Sequence, residues 1–100
     1  MADQEEQPLP PVGVFWIREN EYSAVREILE DGGQLPATWI EWEKMAKEMK
    51  LGLEAYGHIV ERVYIDPIQF PKWCADHGIP TGRQGRRLFV AAAIKEKFGI

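Results

Sequence analysis

The stretch "HIVERVYIDPIQF", residues 58–70, decides the fold of this chain. Its first part, His58 to Ile65, alternates. Ile59, Val63 and Ile65 fall on one face, Val60 and Tyr64 on the other. Apolar residues on both faces are what a strand covered on both sides carries. Asp66-Pro67 then signals a helix start, with Asp as cap and Pro at the first helical position. Phe70, Trp73, Cys74 and His77 share a face of that helix, Pro71 bends or delays its first turn, and Gly78 ends it.

Upstream, the pattern has an echo. Val14-Phe15-Trp16-Ile17 is a second β-branched and aromatic run, with Trp16-Ile17 matching Tyr64-Ile65 and Tyr22 matching Phe70. Asn20 is placed to cap a helix carrying Tyr22, Val25, Ile28 and Leu29 on one side, and Gly32-Gly33 is placed to end it. Thr38-Trp39-Ile40-Glu41 reads as a capping box. The helix it opens has the clearest pattern in the chain, a stripe of Trp39, Trp42, Met45, Ala46, Met49, Leu53 and Tyr56 opposite i,i+4 ion pairs. Ile40 and Leu51 lie off this stripe. After residue 78, Thr81-Gly-Arg-Gln84 reads as a further capping box, and the last helix runs to about Phe98, apolar all round between Leu88 and Ile94.

The expected fold is therefore α+β: one small helix-rich domain over residues 13–100, in the order β-α-α-β-α-α, with a minimal two-stranded sheet. Residues 1–12 read as a disordered tail, polar and proline-rich, with Pro8 and Pro11 at PxxP spacing. Two tandem βαα units would explain the echo between the halves. Reuse of the same capping chemistry in unrelated units would explain it too.

The composition narrows the functional classes. A single cysteine, Cys74, forbids an internal disulfide, and two histidines leave no ligand set for a structural metal. No glycine loop for phosphates and no cofactor motif is present. The opening residues are acidic, unlike a targeting segment, and no apolar run is long enough for a bilayer, so a cytoplasmic protein without membrane association is expected.

Charge is uneven. The chain has net charge -4, yet residues 58–100 hold seven Lys/Arg against four Asp/Glu, and three arginines crowd into "TGRQGRR", residues 81–87. Arg83, Arg86 and Arg87 share a sector of a helical wheel at a helix start. Cations there oppose the helix dipole at a cost of a few tenths of a kcal/mol each. Thr81, Arg83, Arg86 and Arg87 are thus a candidate site for an anion, a nucleic-acid backbone or an acidic partner. Pairing with the acidic first half would offset the same cost. The low cation count and the overall charge disfavour nucleic acid.

Four tryptophans point towards an interface. Trp16, on a sheet with edges to cover, joins Val90, Ile94 and Phe98 of the last helix as candidate interface residues. Cys74 and His77 are the candidate pair for thiol chemistry, set against the inert behaviour of a buried cysteine. No catalytic constellation emerges. The expectation is a non-enzymatic interaction or regulatory module, without cofactor, forming a homodimer or binding another protein.

The segment "RVYIDPIQFPKWCADHG" with "GRRLFVAAAI" resembles the C-terminal part of short uncharacterised bacterial proteins. Those carry a Phe-x-x-Trp-Cys helix, a glycine and an Arg-containing final helix, here Phe70, Trp73, Cys74, Gly78, Arg86 and Phe89. The resemblance covers about the last third of the chain. It implies a bacterial cytosolic protein and carries over no catalytic residue.

Overall fold

A computed structural model describes residues 9–99. Two short strands, β1 (Val12–Trp16) and β2 (Val60–Tyr64), pair in parallel. The helices are α1 (Tyr22–Ile28), α2 (Trp39–Ala55), α3 (Gln69–Asp76) and α4 (Arg83–Phe98), with 3-10 turns at Glu19–Glu21 and Gly32–Gln34. The order is β-α-α-β-α-α, the α+β arrangement expected from the sequence. Parallel strands require a long crossover, and α1 and α2 provide it.

The register pairs Val12 with Val60 and Trp16 with Tyr64. Of the residues matched in the sequence echo, Trp16 and Tyr64 lie side by side in the sheet. Ile65 N–H donates to Trp16 C=O just beyond the strands, and Ile17 and Ile65 are both fully buried. Tyr22 and Phe70 are buried as well, each near the start of the first helix of its half. These residues, with Val14, Trp16, Val25, Leu29, Trp42 and Cys74, form the core. The Tyr22 phenol donates to Pro36 C=O at 2.7 Å, and burial pushes its pKa up.

β1 is covered on both faces, whereas Arg62 and Tyr64 of β2 stay exposed, so the cover expected on both sides of that strand is incomplete. Trp42 of α2 meets Trp16 edge-on at 5.3 Å between ring centroids. On the opposite face α4 runs back along β1, with Arg86 over the Phe15 ring and Val90 and Ile94 against Gly13. A Cβ at Gly13 would lie 2.5 Å from Val90 Cγ1, so glycine is what lets α4 approach this closely.

Local signals differ from expectation at several ends. Asn20 lies inside a 3-10 turn and caps nothing; α1 is preceded by Glu21 without a side-chain cap. The helix stops at Ile28, before the glycines, and Gly32-Gly33 belong to the next 3-10 turn. At α2 the Thr38 hydroxyl caps as expected, accepting from Glu41 N–H. Asp66 accepts from the N–H groups of Ile68 and Gln69 but is not the N-cap: α3 begins at Gln69, with Ile68 before it, so Pro67 is not its first residue. Thr81 does not cap α4, whose N-cap is Gly82. Its hydroxyl donates instead to Ile28 C=O and accepts from Glu30 N–H, tying the two halves together. β1 begins one residue before the expected domain boundary. Residues 1–8 of the expected tail, including Pro8 of the PxxP spacing, lie outside the described residues.

Candidate functional site

The stripe on α2 is only partly covered. Trp42 is buried, and Ala46 and Leu53 are half-buried against the core. Met45 and Met49 are each 58 % exposed, and Tyr56, Ile40 and Leu51 are exposed too. The stripe is wider than the sheet it packs on, so its methionine side overhangs.

That overhang is one wall of a groove of about 570 Å³. Gly13, Val14 and Phe15 form its floor; Trp42, Met45, Ala46 and Met49 form one wall; Arg83, Arg86, Arg87 and Val90 form the other. Gln34, Leu35 and Pro36 also line it. No residue of β2 lines the groove, so it follows the edge of β1 that β2 leaves open. In a parallel ladder, alternate residues turn both backbone groups to the same neighbour. Val12 N–H and Trp16 C=O bond towards β2, which turns the N–H and C=O of Gly13 and Phe15 towards the groove.

The arginine cluster divides into two kinds. Arg86 is buried, and its Nη1 and Nη2 donate to the two carboxylate oxygens of Asp31 at 2.7 and 3.0 Å. This forked pair holds the Asp31 carboxyl below its usual pKa, through the Arg86 hydrogen bonds first and the charges of Arg86 and Arg83 after. The acidic first half thus compensates one of the three arginines. Arg83 and Arg87 are exposed, line the groove and make no ion pair among the described residues. No acidic residue lines the groove. The sequence grouped Thr81 and three arginines as one site; the fold gives Thr81 and Arg86 to structural bonds and leaves Arg83 and Arg87 on the groove wall.

The expected interface residues are mostly internal. Trp16 is 2 % exposed, Val90 9 % and Ile94 6 %, all within the single chain, and only Phe98 of the four keeps partial exposure. The last helix is not contacted all round, since Leu88, Ala91 and Ala92 face outward. Met45 and Met49 are exposed apolar groove residues that were not among the candidates drawn from the sequence. Their position on a stripe one residue wider than Trp42 and Ala46 need was the available signal.

Cys74 and His77 do not come together as a catalytic pair. The Cys74 thiol is buried beside Gly85, and burial pushes its pKa up, away from a thiolate. His77 ends α3, stacked on the Trp73 ring at 4.0 Å, with Nδ1 2.8 Å from Trp73 C=O. Phe70 and Trp73 both meet Phe89 edge-on, so these three residues of the sequence resemblance pack α3 against α4. Among the described residues no group of His, Cys, Asp and Glu is placed to hold a metal ion. No helix of the described residues is long and apolar enough to cross a membrane.

No family model, curated protein or solved structure matches this chain.

Proposed function

We propose that this protein is a non-enzymatic interaction module whose docking surface is the groove between α2 and α4. The observation that supports the reading is the exposure of Met45 and Met49 across from Arg83 and Arg87, over an open strand edge. Methionine is suited to binding surfaces because its unbranched, polarisable side chain adapts to a partner's shape. An apolar groove of this size with a few fixed polar groups is the usual form of a binding site. Self-association built on Trp16, Val90 and Ile94 has lost its support, because those side chains already fill the chain's own core.

Site-specific photo-crosslinking in the producing cell tests the reading. A photoreactive residue at Met45 or Met49 is expected to give discrete heavier adducts. The same group at Lys72, on the outer face of α3, is expected to give none. Adducts independent of position, or absent at both methionines, would sink it.

A further inference from the structure

We infer that the occupant of the groove is an extended acidic peptide that adds to β1 as a third strand, with aliphatic side chains towards α2 and carboxylates towards α4. This inference rests on the groove being the docking surface. Three features of the groove select that chemistry.

The floor comes first. The N–H and C=O groups of Gly13 and Phe15 bond to no backbone group among the described residues. Anything that fills the groove cuts these groups off from solvent and must offer them hydrogen bonds, because unpaired buried backbone groups are costly. A helix or an aliphatic chain has no free backbone groups to offer. An extended segment has them at matching spacing, as in strand addition to a sheet edge.

The walls come second. Side chains of an added strand point alternately to the two faces of the sheet. One set meets Met45, Ala46 and Met49, the other Arg83, Arg87 and Val90. The first wall is apolar. The second carries two cations that make no ion pair among the described residues, in a groove lined by no acid among them and in a chain of net charge -4.

The spacing comes third. Arg83 and Arg87 are one helical turn apart, about 6 Å along the axis. Residues two apart on a strand are separated by about 6.6 Å. Two carboxylates at alternate positions of the peptide therefore match the two guanidinium groups. A second copy of this chain offering its own β1 edge would bring Val-Gly-Val-Phe-Trp, which has no carboxylate to meet them.

Selection from a random peptide display library, with full-length protein as bait, tests the inference. A Met45→Glu/Met49→Glu variant serves as counter-selection. Enriched peptides are expected to alternate aliphatic and acidic residues. A synthetic version of the leading peptide is expected to lose at least tenfold in affinity on Arg87→Glu, or when its own backbone amides are N-methylated. It is also expected to slow hydrogen exchange at the amides of Gly13 and Phe15. The three substituted positions, Met45, Met49 and Arg87, are exposed, and circular dichroism checks that each variant folds. Peptides with helical spacing, or indifferent to Arg87, would overturn the strand inference while leaving the groove as a docking surface. Peptides that bind the methionine variant equally well would remove the groove reading itself. No enrichment over the counter-selection overturns the inference. So does a concentration-dependent dimer that Met49→Glu abolishes and the peptide displaces.

Discussion

Arg86 and Asp31 show how a single pair can carry both fold and site. The pair links the loop after α1 to the first turn of α4, and it sets Arg86 against the Phe15 ring. Removing one partner of a buried pair leaves the other uncompensated. Asp31→Ala is expected to cost about 3 kcal/mol, the low end for such a loss, because the Asp31 side chain stays 23 % exposed. Urea unfolding at pH 7 measures it. The pH dependence has a definite sign. The folded-state pKa of Asp31 is lowered, so the unfolded chain takes up the proton first. The contribution is whole above about pH 4 and is lost as pH falls through the folded-state value. The stability gap between wild type and Asp31→Ala should therefore narrow on acidification from pH 5 to pH 3. A gap that stays constant would mean the carboxylate form is not what stabilises the pair.

At the scale of the element, α2 serves two surfaces with one stripe. Trp42 sits between Phe15, Trp16 and Tyr22, with ring centroids 5.3–6.0 Å away. Trp42→Ala is expected to cost about 3–5 kcal/mol, as large-to-small changes at a buried aromatic do. Met49→Ala, about two turns on, is expected to change stability by no more than about 0.5 kcal/mol, since its side chain is largely exposed. Chemical denaturation of the two variants side by side checks the contrast. Equal losses would mean that the methionine side of α2 is structural and the groove wall is part of the core.

For the whole molecule, the sheet joins the two halves and exists in neither. Each half supplies one strand, and β1 and β2 have no other strand to pair with among the described residues. Thr81 to Ile28 and Glu30, Arg86 to Asp31, and Lys97 to Glu61 add further cross-links around it. The two βαα halves are therefore not two domains. Fragments 1–57 and 58–100 made separately are each expected to lack a cooperative thermal transition by circular dichroism, even though residual helix remains in the first. A cooperative transition in either fragment would show that a strand–helix–helix unit buries enough surface alone.

Element order was legible in the residues because its signals are local. Thr38 with Glu41, Asp66 ahead of Gln69, and the alternation in "HIVERVYI" each act within a few residues, and each appears in the fold close to where the sequence places it. Where a local signal had a distant competitor, the competitor won. Thr81 bonds across 53 residues instead of capping its own helix, and Arg86 pairs across 55 instead of facing solvent. The candidate site was half legible: the arginines were visible, but their division into one bonded to Asp31 and two on the groove wall was not. Nor was the exchange of roles by which Trp16 and Val90 became core and Met45 and Met49 became surface. Periodicity says which residues are apolar, whereas packing decides which of them find cover. In a sheet of two strands that decision depends on which edge is left open, and only the tertiary structure contains it.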